Sequence, residues 1–252
     1  MMIKFYRKIR QKLLSQNRFS KYLIYAVGEI VLVVIGILIA LSINNWNTKK
    51  QNQKNSLSFL HNLKEEVISH VTFTKYLDSL TATYISSFEE PFANFHKIRT
   101  VNDLMEIQQH FNSQWNNLRL TMTTYEEMVN TGSMYTLENK LLQKHISNYY
   151  AFVKSMQYVI QEMNKTTSEL LFLNNEMFRA SYLDKNYKKE WFQTQHVDTS
   201  WINDPNSTTY LTKYRFLDFS LETDKDKRNI YQGVIGRGSE LLTKIQEELN
   251  KT

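Results

Sequence analysis

A long apolar segment near the N-terminus limits what this chain of 252 residues can fold into. About 21 nearly unbroken apolar residues run from Leu23 to Ile43. At roughly 1.5 Å rise per residue, a helix of that length crosses a hydrocarbon core about 30 Å thick. The sequence therefore predicts a transmembrane helix over residues 22–46.

Close to this segment, positive charges are concentrated on its N-terminal side. Residues 1–22 contain seven of the 31 basic residues and none of the 25 acidic ones, whereas the nearest positive residues after the segment are Lys49, Lys50 and Lys54. The flank richer in Lys and Arg stays in the cytoplasm. We therefore predict a cytoplasmic basic tail over residues 1–21 and an outer domain over residues 47–252.

Aromatic residues stand at both ends of the predicted span. Tyr22 and Tyr25 are placed for one membrane interface and Trp46 for the other, as the amphipathic rings prefer. A cleavable signal peptide is the competing interpretation, because Ala40-Leu41-Ser42 imitates a cleavage site. Its apolar core is normally only about 7 to 15 residues long. We expect the segment to be kept as a signal anchor.

The composition of the remaining chain excludes several classes. The net charge of +6 arises in the tail, since the other residues carry 24 basic and 25 acidic side chains, interspersed. Without a basic stripe, we expect no nucleic-acid partner. The chain has no cysteine, which excludes disulfides and thiolate sites. Six glycines and two prolines give too few turns for an all-β domain, so long helices are expected.

Helical periodicity begins directly after the predicted span. Its apolar positions are Leu60, Leu63, Val67, Val71, Phe73, Leu77, Leu80, Tyr84 and Phe88. We expect this helix to end before Pro91, because a residue that precedes proline is biased away from the helical region. Shorter helices are predicted over residues 102–112 and 115–130. The second has a capping box at Thr124–Glu127 and a left-handed cap at Gly132.

The clearest pattern in the outer domain begins near Thr136 and predicts a helix of about 40 residues. Its apolar seam alternates steps of four and three, a period typical of coiled coils and antiparallel bundles: Leu142, Ile146, Tyr149, Val153, Met156, Ile160, Met163, Thr167, Leu170, Asn174 and Met177. Residues 182–223 are irregular and aromatic, with a short helix starting at Asp204-Pro205. A last helix is predicted around Ile230, Tyr231, Val234, Leu241, Leu242, Ile245 and Leu249.

The expected fold class is therefore all-α. One N-terminal transmembrane helix is followed by an extracytoplasmic antiparallel helical bundle with long helices. No tandem repeat divides the outer part, so a single outer domain is expected.

One acidic residue, Glu29, lies inside the predicted span. A charged side chain deep in a membrane helix costs about 2.5 to 3.5 kcal/mol, which makes it a candidate for function. Gly28, Gly36 and Ala40 are small residues that let helices approach closely in lipid. Two interpretations stay open: these four residues make intramembrane helix contacts, or Glu29 extends toward the inner interface.

Other candidates for chemistry are weaker. Glu66 and His70, like Glu106 and His110, stand four apart on predicted helices. The metal pattern of helical bundles uses Glu-x-x-His with further glutamates and is absent, so we expect surface hydrogen bonds, no metal and no cofactor. The remaining histidines have no metal spacing: His61, His96, His145 and His196. The glycines of 233–238 follow no predicted strand, which favours helix packing or a kink over phosphate binding.

Two blocks of the chain together resemble a known family. The first is MIKFYRKIRQKLLSQNRFSKYLIYAVGEIVLVVIGILIALSINNWN, from Met2 to Asn47; the second is YEEMVNTG, from Tyr125 to Gly132, with the later Leu141 and Tyr149-Tyr150. They are similar to an uncharacterised family of single-pass membrane proteins of Gram-negative bacteria, classified as a domain of unknown function. The resemblance implies inner-membrane anchorage with one helical domain in the periplasm. It implies no activity.

These features favour a protein without catalytic activity that is anchored in the membrane and binds another protein or copies of itself. The alternative is a ligand sensor of helical-bundle type with a pocket in residues 182–223. A sensor of this kind needs a separate signalling partner, because a predicted cytoplasmic tail of residues 1–21 cannot hold an output domain. An envelope enzyme is a third possibility for which the sequence offers no positive feature.

Overall fold

The computed structural model describes residues 19–111, 115–173 and 200–251, together with positions 7 and 11. Every regular element in these ranges is a helix, which confirms the expected all-α class. In chain order the α-helices are α1 (Phe19–Ala93), α2 (Val101–His110), α3 (Thr123–Asn130), α4 (Lys140–Leu173) and α5 (Thr208–Leu249). Short 3-10 helices occur at Phe95–Lys97, Ser133–Thr136 and Ser200–Asn203.

The chain divides into two compact units, Met1–Ser56 and Leu57–Thr252. The first unit includes the apolar N-terminal part of α1. Within the described residues this is the one stretch long and apolar enough to cross a membrane, with a mean hydropathy of 2.7 and no buried residue in its most apolar window. Most of the predicted basic tail over residues 1–21 lies outside the described residues.

The expected end of the first outer helix before Pro91 is wrong, since α1 continues to Ala93 with the proline inside it. Proline lacks the N–H that an interior turn of a helix needs. Here the helix ends within the next turn, where the carbonyl of Pro91 accepts a hydrogen bond from the Asn94 N–H at 3.1 Å. The N–H that Pro91 lacks is therefore missing in the last turn of the helix and not in its interior.

Only half of the helix predicted for residues 115–130 exists, because the described chain is not helical before α3 begins at Thr123. Burial alternates in the non-helical part: Leu118 and Leu120 are buried, whereas Arg119 and Thr121 are exposed. Such a period of two is typical of an extended chain that lies on an apolar surface. The helix prediction is therefore wrong for residues 115–122.

The predicted caps have mixed outcomes. The capping box at Thr124–Glu127 is wrong, since Met122 caps α3 and makes no side-chain capping bond. Gly132 has a φ of 73°, which confirms the left-handed position. The start at Asp204-Pro205 is also wrong: α5 is capped by Ser207, whose Oγ accepts from the Tyr210 N–H at 3.2 Å.

The long seam helix begins at Lys140, later than the predicted start near Thr136. Asn139 provides the reason, because its Oδ1 accepts a hydrogen bond from the Leu142 N–H at 3.0 Å and so caps the first turn. Seam residues from Leu142 to Thr167 are buried or half-buried, as predicted, and Asn174 and Met177 lie outside the described residues. The last helix starts well before Ile230, so residues 208–223 are helical rather than irregular.

Two apolar clusters fill the second unit. The first contains, among others, Leu63, Val67, Ile146, Val153, Ile160, Val234, Leu241 and Ile245. The second contains, among others, Phe88, Phe92, Phe95, Trp201, Ile202, Tyr210, Phe216 and Leu217. Residues of α1 and α5 contribute to both clusters. Later residues of α1 contact earlier residues of α5: Asp78 pairs with Arg228, and Phe92 stacks on Tyr214.

Close helix packing explains one residue of the glycine run. A Cβ atom on Gly238 would lie 2.7 Å from Cγ2 of Val71 and 3.2 Å from the hydroxyl oxygen of Tyr149. A Cβ on Gly236 would meet nothing within 4 Å. The packing expectation is thus confirmed at Gly238, where the missing side chain lets α1 and α4 approach α5.

Candidate functional site

The four predicted contact residues of the span lie on α1 with exposed side chains. Gly28, Glu29, Gly36 and Ala40 are all exposed, and a Cβ on either glycine would meet nothing within 4 Å. Gly36 and Ala40 are four residues apart and share a face, and Glu29 lies seven residues before Gly36, within about 20° around an ideal helix. No other described residue covers this face, and helix contacts through it stay a prediction.

The aromatic residues that we predict at the membrane interfaces are also on α1. Tyr25 and Trp46 are 48% and 66% exposed, and the Lys50 ammonium lies 5.4 Å from the centre of the Trp46 ring. Such a cation and ring contact is compatible with a polar interface. Tyr22 is helical, but its side chain lies outside the described residues.

A second candidate is the non-helical segment of residues 115–122, which we call the strap. Side chains of the long helices bind its backbone carbonyls. Gln157 donates through Nε2 to the Leu120 carbonyl at 3.0 Å, and Asn164 donates through Nδ2 to the Asn116 carbonyl at 3.2 Å. The Asn164 amide also donates to Oδ1 of Asn117 at 2.9 Å. These bonds replace the ladder that a helix would have supplied.

Glu66 of α1 joins the first turn of α3 to α4. Its Oε2 accepts from the Thr124 N–H at 2.8 Å, and its Oε1 accepts from the Tyr150 hydroxyl at 2.5 Å. The Tyr150 ring also stacks on Tyr125 of α3, with centroids 4.2 Å apart and planes 3° from parallel. One carboxylate and one ring pair therefore fix α3 against two long helices.

His70 lies one turn further along α1 and is only 1% exposed. Its Nε2 is 2.6 Å from the Thr121 carbonyl, and its Nδ1 is 3.2 Å from the Tyr149 hydroxyl. Because a carbonyl only accepts, Nε2 carries a proton. In the neutral imidazole this fixes the tautomer, and Nδ1 then accepts from the Tyr149 hydroxyl.

Burial sets the protonation of this cluster. Desolvation lowers the pKa of His70, although the bond to the Thr121 carbonyl and the nearby Glu66 carboxylate act in the opposite direction. Desolvation also raises the pKa of Tyr149 and Tyr150, and the Glu66 charge adds to both shifts. The cluster is thus a network of neutral donors around one carboxylate.

The expectation of surface hydrogen bonds for Glu66 and His70 is wrong. His70 is buried and bonds to the strap, and Glu66 accepts a hydrogen bond from a side chain of α4. Their spacing of four placed them on one face, but periodicity alone assigns polar residues to the surface. Tyr125, Tyr149 and Tyr150, quoted above for the family resemblance, were the signal that the site extends to α3 and α4. Across the described ranges, no three His, Asp or Glu side chains are arranged to hold a metal ion.

The other predicted Glu and His pair lies beside an open cleft. Glu106 and His110 are exposed on α2, as expected, and the cleft has a volume of about 720 Å³. Asp103 in its wall is already used, since its Oδ2 accepts from the backbone N–H groups of Arg99 and Thr100, both at 2.9 Å. These bonds hold the pKa of Asp103 below its usual value.

Three of the aromatic residues on which the predicted pocket within residues 182–223 depends lie in the core of the described structure. Trp201, Tyr210 and Phe216 are buried in the second apolar cluster. Tyr214 is 38% exposed but stacks on Phe92 at a centroid distance of 5.2 Å. Residues 182–199, including His196, lie outside the described residues.

Comparison with known proteins gives one match. No curated protein and no solved structure matches the chain. A protein-family model matches residues 29–198, which include residues 29–46 of the predicted span, Glu66, His70, the strap and all of α4 as described. Because this match covers more than half of the sequence, the chain belongs to the family of unknown function DUF6090.

Proposed function

We propose that this protein is a single-pass membrane protein whose helical domain lies outside the cytoplasm and binds another protein or a second copy of the chain, without catalysis. The carrying observation is the apolar stretch of α1, which has a mean hydropathy of 2.7 and buries none of its most apolar window within the chain. An apolar surface of this extent is stable in lipid and not in water.

The charge asymmetry supports a cytoplasmic N-terminus. Seven basic residues precede the span without an acidic residue among them, and the flank richer in Lys and Arg stays inside. The proposed location is the inner membrane of a Gram-negative bacterium, with residues 47–252 in the periplasm. The order of contacts between α1 and α5 supports an antiparallel bundle there.

Association through the span is the first proposed mode of binding. Gly36 and Ala40 place two small residues on one face of α1, and Glu29 is an acid that a second helix would stabilise in lipid. Close approach of two backbones gains dispersion energy that lipid tails do not supply equally well. A second copy of the chain is the simplest partner, because the same face is then present on both helices.

The alternative role as a ligand sensor has no specific support. It requires a pocket in residues 182–223, and the described aromatic residues there, Trp201, Tyr210 and Phe216, are core residues. An interaction role requires only an anchored helical domain and an uncovered face. The interaction role is therefore the one we propose.

Crosslinking in membranes tests the association. Single cysteines introduced near Trp46 in the otherwise cysteine-free chain should form disulfide dimers under mild oxidation. Replacement Gly36→Leu should reduce the dimer by sterics and Glu29→Gln by a weaker hydrogen bond, whereas Val34→Leu, on the opposite face, should not. If neither Gly36→Leu nor Glu29→Gln reduces the dimer yield, the span is only a passive anchor.

A further inference from the structure

The second unit begins close to the predicted span in the sequence. The chain enters this unit at Leu57, and only residues 47–56 separate Leu57 from the end of the predicted span at Trp46. A segment of that length reaches about 15 Å as a helix and about 35 Å at full extension. The end of the unit that contains residues 57–60, which we call the entry end, is therefore tethered within reach of a membrane surface.

Contacts within the unit place the loop between α3 and α4, residues 131–139, at the entry end. Later residues of α1 contact earlier residues of α5, so the last turn of α5 lies nearest to the start of α1 in this unit. That last turn contacts the start of α4, where Nδ2 of Asn139 donates to Oε2 of Glu248 at 2.8 Å. The loop ends at this contact and so belongs to the entry end.

Large apolar side chains at the entry end are exposed. Tyr135 of the loop is 78% exposed, Leu141 in the first turn of α4 is 64% exposed, and Val129 near the end of α3 is 47% exposed. An exposed tyrosine beside aliphatic side chains is typical of a membrane interface, because its ring is apolar and its hydroxyl is polar. These side chains suit a surface that is apolar inside and polar outside.

A groove of about 390 Å³ opens beside the same residues. Its lining includes Lys140, Lys144, Gln143 and Ser147, and no acidic side chain. Nζ of Lys140 lies 3.4 Å from the Tyr135 carbonyl, and Lys144 is exposed. Ammonium, amide and hydroxyl groups are donors that a phosphate oxygen accepts from. The cleft beside α2 is lined differently, by three acidic residues: Glu90, Asp103 and Glu106.

We propose that the entry end binds the surface of the membrane that anchors the chain. Tyr135 and Leu141 contact the headgroup layer, and Lys140 and Lys144 contact the phosphates of anionic lipids. A lipid surface is the occupant because the short tether keeps it within reach, and because aromatic and basic side chains together are what membrane interfaces favour. The inference rests on the proposed anchorage through the span, but not on self-association.

Fluorescence quenching of the full chain in nanodiscs tests this contact. Each nanodisc holds one copy of the chain in phosphatidylethanolamine with phosphatidylglycerol, and a single cysteine carries the dye, since the parent chain has none. Asn130→Cys places the dye on an exposed residue beside the loop, whereas Gln161→Cys places it on an exposed residue of α4, about 32 Å along the helix from Lys140. Lipids with a spin label on the headgroup should quench the dye at position 130 several-fold more strongly than the dye at position 161.

Substitutions at the entry end then test the residues of the contact. Lys140→Gln combined with Lys144→Gln should lower the quenching at position 130 toward the value at position 161, and added salt should act in the same direction, because it screens exposed charges. Lys154→Gln, an exposed lysine further along α4, should change nothing. Tyr135→Ala should also lower the quenching, whereas Tyr158→Ala, at a residue that is 64% exposed, should not. Circular dichroism of each variant checks that the helices are kept.

Three outcomes would overturn the inference. Equal quenching at positions 130 and 161 would mean that the entry end does not contact lipid, and quenching by a water-soluble agent alone would leave it open to a protein partner. Quenching that the two lysine changes do not alter would remove the headgroup contact. A chain that does not enter nanodiscs would refute the anchorage as well. Self-association is measured by crosslinking through the span, and one copy in each nanodisc excludes it here, so the two failures are distinguishable.

Discussion

Replacing Tyr150 by Phe removes one oxygen from the centre of the Glu66 cluster. The hydroxyl of Tyr150 donates to Oε1 of Glu66 at 2.5 Å, and it is the bond that joins this carboxylate to α4. The phenyl ring remains, so the stack on Tyr125 with its centroid distance of 4.2 Å is kept. The variant therefore tests the hydrogen bond with little change in packing.

The expected cost follows from the charge of the acceptor. A hydrogen bond to a charged group contributes about 1.5 to 3 kcal/mol to stability. The substitution removes the hydroxyl that donates to Oε1 of Glu66, whose carboxylate is half-buried. We expect a loss of about 2 kcal/mol in the free energy of unfolding. For a domain of about 200 residues, each kcal/mol lowers Tm by roughly 2 to 4 °C, so Tm should fall by about 4 to 8 °C.

Thermal melting of the full chain in detergent, followed by circular dichroism, measures this change. Tyr158→Phe is the matched control, since Tyr158 lies on the same helix but is 64% exposed, and it should melt like the parent. If Tyr150→Phe also melts within a degree of the parent, the bond to Glu66 contributes nothing to stability, and the reasoning about the cluster is refuted.

Three further predictions concern the same domain. Ile160→Asp puts a charge where the side chain is 0% exposed and should cost several kcal/mol, while Gln161→Asp on the exposed face should cost little; equal melting would mean that the seam is not buried. Gly238→Ala should destabilise, because its Cβ meets Val71 at 2.7 Å, whereas Gly236→Ala in open space should be neutral or stabilise by up to about 1 kcal/mol; the reverse order in urea unfolding would contradict the packing. Burial lowers the pKa of His70 from 6.5, so the stability contributed by the neutral imidazole is present above pH 6.5 and is lost as the pH falls below it; His70→Gln should flatten that dependence between about pH 7.5 and 5.5, and parallel curves for the two proteins would rule out His70 as its source.

Periodicity predicted those parts of the fold in which apolar side chains repeat over many turns. Leu63, Val67, Ile146 and Val153 were placed in the core on spacing alone, and all four are buried. Gly132 was placed in a left-handed position because a helix end followed by glycine has few alternatives. These signals depend only on residues close together in the sequence.

The strap and the Glu66 cluster depend on residues far apart in the sequence. The carbonyl of Leu120 is bound by Gln157, and Thr124 is bound by Glu66. Without the positions of α1 and α4, residues 115–122 had no visible partner for their backbone and were predicted as helix. Glu66 was predicted on the surface for the same reason, since a half-buried carboxylate is stable only with donors that the sequence does not reveal.

The orientation of the chain tests the central claim most directly. Fusing alkaline phosphatase to the C-terminus should give an active enzyme, because this reporter works only outside the cytoplasm, and a C-terminal green fluorescent protein exported by the same route should stay dark. The predicted pair of results follows from the flank before the span, which contains seven basic residues and no acidic one. An inactive phosphatase with a bright fluorescent fusion would place residues 47–252 in the cytoplasm and contradict the proposed function.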